Sequence, residues 1–199
     1  MNLNAEVKKQ LFKTFEILKT TLSVDQIPEI LSLTSYSVYA EFDAVKTVSS
    51  TGENEILKYF EDFVQRHNLI WVNVPVLKAA AHSFSDILRS LITFYGECTS
   101  TDEFGRQIVG LLQEWVGLNP SSLGSFYSSS ESVIALFQAL IGDCSDAVLY
   151  DGACGIGMIA NRLNPKKAIL RDINQTVVGI TALLFTMSNI DVDLQVADT

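Results

Sequence analysis

Apolar positions change rhythm once along this chain. Up to about Gly117 they recur at steps of three and four, the mark of amphipathic helices. Val7, Leu11, Phe15, Leu18 and Leu22 form one such stripe. Ser23 and Gln26 stand at capping-box spacing before a short second helix through Ile27, Ile30 and Leu31, with Pro28 tolerated in its first turns. Thr34 to Ser50 reads as strand or loop, because its apolar and small polar residues follow no helical period. Helical spacing returns with Ile56, Leu57, Phe60, Phe63 and Val64. One long helix then runs from Leu77 to Tyr95, and a last one starts near Thr101–Asp102 with Phe104, Ile108, Leu111, Leu112 and Trp115 inward. Short connections and broad apolar stripes predict a helical bundle over residues 1–120.

Leu118-Asn119-Pro120-Ser121-Ser122 interrupts the pattern, and the second unit is placed at 121–199. Here the elements alternate. A helix is expected from about Ser130 to Leu140, with Ser128 and Glu131 at capping-box spacing and Gly142 as its stop. A strand follows at Ala147–Asp151, then a glycine turn and a short helix to about Leu163. A second strand covers Lys167–Asp172, and an apolar, buried helix covers Gln175–Met187. A third strand covers Val192–Asp198. Alternation of this kind predicts an α/β unit with a parallel sheet and right-handed crossovers.

The chemistry gathers at the turn D-G-A-C-G-I-G, Asp151 to Gly157. Glycines let a ligand approach the backbone, and a helix start offers free N–H groups. Asp172, at the end of the next strand, stands where a carboxylate takes ribose hydroxyls in nucleotide-binding units. The turn lacks the third glycine of G-x-G-x-x-G and the Gly-Lys-Ser/Thr of a phosphate-binding loop. Asp151 at its opening would repel a pyrophosphate, whereas a carboxylate suits an ammonium group. On the residues alone this is a cofactor-binding unit of open ligand identity; S-adenosylmethionine fits the description.

Four motifs in order resemble the N-6 adenine DNA methylase family, and in particular the modification (M) subunits of type I restriction–modification enzymes. G-S-F-Y-S-S (Gly124 to Ser129) resembles G-x-F-Y-T-P, D-G-A-C-G-I-G resembles D-P-A-C-G-S-G, R-D-I-N-Q-T resembles Q-E-I-N-P-T, and V-A-D-T resembles the family's G-D-T. The resemblance implies the first half of a Rossmann-like methyltransferase domain, with parallel strands in the order 3-2-1, following the helical bundle. It implies S-adenosylmethionine as cofactor and DNA methylation as activity. Ser128, beside Phe126 and Tyr127, would meet the methionine end. Asp151, Ala153, Cys154, Gly155 and Gly157 would form the main turn. Asp172 would hold the ribose, Ile173 would lie against the adenine ring, and Asp198 would face its exocyclic amine.

Gly152, Ile156, Met158, Ser128–Ser129 and Asp172 depart from the family pattern. The catalytic N-P-P-[FY], which accepts the flipped adenine, does not occur before Thr199. No catalytic residue is therefore assigned, and the chain is expected to be part of a longer protein. Its first strand, central in the family's sheet, would be an apolar edge calling for cover by another chain or segment. Rival readings are a non-catalytic methylase-like binding or assembly module, and methylation of protein or RNA.

Charge and cysteines narrow the partners. With 14 Lys+Arg against 23 Asp+Glu the net charge is −9, and no cationic cluster offers a phosphate grip. DNA contact is thus expected through a separate specificity subunit or a further C-terminal part. Cys98, Cys144 and Cys154 form no paired motif, so neither a disulfide framework nor a zinc site is expected, and the setting is read as reducing and cytoplasmic. The apolar run Val177–Met187 is too short to span a membrane. Cys154 reads as a small turn residue rather than a nucleophile. His67 and His82 read as helix-lining groups.

Overall fold

The stretch Thr34 to Ser50, read as strand or loop, is almost all helix. In the computed structural model, which describes residues 5–119 and 131–198, helix α1 spans Ala5–Ile17 and tightens to a 3-10 turn over Leu18–Thr20. Helix α2 then runs from Ile27 to Ala40 and α3 from Phe42 to Val48. The period is hidden because α2 is buried almost all round; Ser32, Thr34, Ser35 and Ser37 are as buried as Ile30 and Leu33. Two of its hydroxyls bond back within the helix, Thr34 Oγ1 donating to the Ile30 carbonyl at 2.9 Å and Ser37 Oγ to the Thr34 carbonyl at 2.8 Å. The buried Ser35 hydroxyl has no partner among the described residues. Pro28 sits in the first turn, where its missing N–H costs no helical bond.

Helix α4 covers Glu53–Arg66 and, as its stripe predicts, buries Ile56, Phe60 and Phe63. The expected long helix is broken in two. Helix α5, Val74–Ala80, ends in a 3-10 turn over Ala81–Ser83, and α6 continues from Phe84 to Glu97. Both pieces keep the apolar side inward, so the stripe survives a break that it cannot reveal. Helix α7, Thr101–Leu118, begins with Ser100 Oγ accepting from the Glu103 amide at 3.1 Å, a side-chain cap.

The second unit follows the predicted order closely. Helix α8 spans Glu131–Ile141, strand β1 Val148–Asp151, helix α9 Met158–Leu163, strand β2 Lys167–Asp172, helix α10 Gln175–Ser188 and strand β3 Val192–Val196. The three strands are parallel with β2 in the middle, Asp151 level with Leu170 and Asp172 level with Val196. The architecture is a mostly helical mixed α/β fold with a small parallel sheet. β1 pairs with β2 alone among the described strands; Val148 and Tyr150 on it are exposed, as are Leu136, Leu140 and Ile141 of α8.

Helix α10 joins the two halves. Phe185 faces the sheet, in a cluster with Cys154, Ala160, Ala168 and Leu170. Val177, Ile180, Leu183, Leu184 and Met187 belong instead to the large core of the helical region. The apolar core therefore runs across the change of element type near residue 120. Close approach of α7 and α10 depends on Gly105, where an added Cβ would lie 2.1 Å from the Met187 carbonyl oxygen. Backbone cannot swing aside as a side chain can, so Gly105→Ala is expected to push the helices apart. The expected cost is about 1–3 kcal/mol, read as a lower urea midpoint at unchanged m-value.

Candidate functional site

The site is built where the sheet's carboxyl edge meets the glycine turn. The end of β1 brings Asp151, whose Oδ1 accepts from the Ala153 amide at 3.1 Å and folds the chain back on itself. The Cys154 amide donates to the Arg171 carbonyl at 2.9 Å, tying the turn to β2. Asp172, at the end of β2, then reaches the turn directly: its Oδ2 accepts from the Gly155 amide at 3.0 Å and its Oδ1 from the Asn174 amide at 2.9 Å. Each ionised carboxylate oxygen keeps a further lone pair, so these bonds leave Asp172 able to accept from a ligand hydroxyl.

Asn174 caps α10, its Oδ1 accepting from the amides of Thr176 and Val177 at 3.0 and 3.3 Å. That cap places Ile173 on the rim, 70% exposed, an apolar surface where the core needs none. The Ala197 amide donates to the Asp172 carbonyl at 3.0 Å, which seats the end of β3 beside the end of β2. Asp198 follows, exposed, on the same rim. The structure thus brings together Asp151, Ala153, Cys154, Gly155, Gly157, Asp172 and Ile173, with Asp198 at their side. Phe126, Tyr127 and Ser128 lie outside the described residues.

Electrostatically the rim is acidic. Arg171, the nearest cation in sequence, is committed elsewhere, its Nη1 donating to the Leu170 and Asp193 carbonyls at 2.8 Å and lying 3.2 Å from the Asp193 carboxylate. Burial first, then the charges of Asp151 and Asp172, push the Cys154 thiol up to about 12. It is protonated at neutral pH and supplies no thiolate nucleophile. Such a rim accepts hydroxyl, amino or cationic groups and repels phosphate.

Three side chains that the motifs do not mark hold the turn in shape. Gly155 and Gly157 have φ of +52° and +71°, and the left-handed backbone suits glycine. An added Cβ on Gly157 would stand 2.3 Å from the Phe185 ring. Thr181 Oγ1 donates to the Gly155 carbonyl at 2.7 Å and lies 2.8 Å from the Val177 carbonyl. Gln113 Nε2, from α7, donates to the Ile156 carbonyl at 3.2 Å. Thr181 left a trace in the sequence as one of two threonines, with Thr186, that interrupt the apolar run Val177–Met187. Gln113 left a fainter one, a single amide flanked by Leu111, Leu112, Trp115 and Val116.

The two histidines make their contacts within the helical region. His67 Nε2 lies 2.9 Å from Glu41 Oε1, and its ring centroid lies 4.1 Å from that of Phe63; His82 lies 3.0 Å from the Ser83 hydroxyl. Among the described residues no group of three or more His, Cys, Asp or Glu is placed to hold a metal ion, and no helix is long and apolar enough to cross a membrane. Comparison with family models, with curated proteins and with solved structures gives no match for this chain.

Proposed function

We propose that this chain is the S-adenosylmethionine-binding portion of a DNA adenine-N6 methyltransferase, similar to a type I modification subunit, on a Rossmann-like half-domain. The observation that carries the reading is the contact between Asp172 and the Gly155 amide, which sets two acids around one glycine turn beside an exposed Ile173. That donor set fits the cofactor. Asp172 accepts from the ribose hydroxyls, Asp151 faces the ammonium group, Ile173 covers one face of the adenine ring and Asp198 accepts from its amine. The acidic rim admits a cofactor with a positive sulfonium and no phosphate.

When bound, S-adenosylmethionine supplies a methyl group on sulfonium, an electrophile for an adenine amine. The contribution of this chain's residues is to bind and orient, and placement of this kind supplies much of the rate of a group transfer. No residue here is assigned to accept the adenine. The net charge of −9 points to DNA being gripped by a specificity subunit or another part of the protein. A second reading, a non-catalytic assembly module of the same ancestry, draws on the exposed apolar residues of α8 and β1.

Asp172→Asn tests the ribose contact. The amide keeps the shape and one acceptor oxygen but loses the charge. Bonds to a charged group contribute about 1.5–3 kcal/mol, so the variant is expected to bind S-adenosylmethionine about 10- to 100-fold more weakly in equilibrium dialysis. Equal binding by variant and parent removes Asp172 from the site.

A further inference from the structure

We infer that Gln113 is a positioning residue of the donor site: from α7 it holds the glycine turn in its cofactor-binding shape, making the helical region a working part of that site. The inference rests on the S-adenosylmethionine reading above. Gln113 is only 2% exposed, and both ends of its amide are spent on the second unit. Its Nε2 donates to the Ile156 carbonyl at 3.2 Å, and its Oε1 accepts from Asn161 Nδ2 of α9 at 2.9 Å.

A buried amide among leucines is costly unless it is bonded, and a leucine or methionine there would suit the α7 stripe better. What the amide gains lies entirely in the turn and the helix after it. Ile156 stands between the two left-handed glycines, the most permissive backbone of the chain. Its carbonyl and the Gly157 amide belong to one peptide plane. Gln113 holds the oxygen of that plane, while the Gly157 amide donates to the Cys154 carbonyl at 2.9 Å. The preceding plane is held by Thr181, whose hydroxyl donates to the Gly155 carbonyl from α10. Helix α10 is itself seated against α7 at Gly105. Two arms therefore run from the helical region to the turn, and the turn's shape is not left to the glycines.

The test uses the full chain with Gln113→Met, close in length and without hydrogen bonds, and Asn161→Ala, which removes only the partner that steadies Gln113. The expected result for Gln113→Met is an unfolding midpoint near that of the parent, S-adenosylmethionine binding weakened about 10-fold, and amide exchange at Gly155 and Gly157 faster by a similar factor. Asn161→Ala is expected to weaken binding about 3-fold, and it decides the matter if Gln113→Met does not fold. Unchanged affinity and unchanged exchange in these variants, with a parent that binds, overturn the role of Gln113 alone. A parent that binds no S-adenosylmethionine overturns the functional reading and this inference with it.

Discussion

Gly157→Ala is expected to unfold at a much lower urea concentration than the parent and to lose the cofactor binding proposed above. Two costs add at this residue. At φ +71° an alanine must adopt the left-handed region, which costs about 1–2 kcal/mol. Its Cβ would also stand 2.3 Å and 2.9 Å from two ring carbons of Phe185 and 3.3 Å from Thr181 Cγ2. Phe185 is 1% exposed and wedged against Cys154, Ala160, Ala168 and Leu170, so its ring has nowhere to go. Overpacking of this kind costs about 1–3 kcal/mol, giving about 2–5 kcal/mol in all. Gly110→Ala in α7, where an added Cβ meets nothing within 4 Å, serves as the control and is expected to leave stability unchanged or slightly raised. Adding Phe185→Leu to Gly157→Ala should restore part of the loss, and strict additivity of the two would contradict the clash.

Through Glu29, stability of the parent is expected to fall as pH rises from about 4.5 to about 7, and Glu29→Gln is expected to abolish that fall. Glu29 lies in the first turn of α2 with 4% of its surface exposed. Burial drives its carboxyl up to about 7, and the Asn73 amide, which donates to Oε1, opposes this only in part. The folded chain therefore holds a proton that the unfolded chain has released across this window. With more protons bound in the folded state, unfolding becomes easier as pH rises. The two ends of the window set an upper size of about 3 kcal/mol. Glutamine keeps the acceptor for Asn73 without the charge, so at pH 8 the variant should be the more stable by a similar amount. Glu41 acts in a separate window. Although burial raises its pKa, bonds from His67, Tyr59 and Arg66 lower it overall, so its contribution is present above about 4.5 and lost below. Urea midpoints at pH 5 and pH 8 check the sign for Glu29, and midpoints at pH 3 and pH 5 the sign for Glu41; Glu29→Gln less stable than the parent at pH 8 would overturn this assignment.

The second unit was legible nearly to the residue because its signals are local. Val148–Asp151 is a short apolar run ended by an acid, and glycines mark the turn after it. Lys167–Asp172 has an apolar centre, Ala168 to Leu170, and also ends on an acid. The helical half was legible in long helices that keep a solvent face, as α4 and α7 do, whereas the seven-residue α3, with Val45 alone buried, is too short to show a period. The start of α2 was legible through Ile27, Ile30 and Leu31. Its continuation from Thr34 was not, because it is buried nearly all round and so shows no period. Nor was the break near His82, where both pieces share one stripe. Within the site, the two glycines and the two acids announced themselves by spacing. Gln113, Thr181 and Phe185 did not, because their partners are backbone carbonyls and a glycine from distant parts of the chain. Spacing does not mark such contacts; the only hint is residue type, a hydroxyl in an apolar run and an amide in an apolar stripe.

Titration calorimetry of the chain with S-adenosylmethionine bears on the central claim most directly. Saturable binding of one molecule per chain is expected, competed by S-adenosylhomocysteine and not by ATP, whose phosphates the acidic rim repels. No heat and no saturation at millimolar cofactor, or ATP binding in its place, would contradict it.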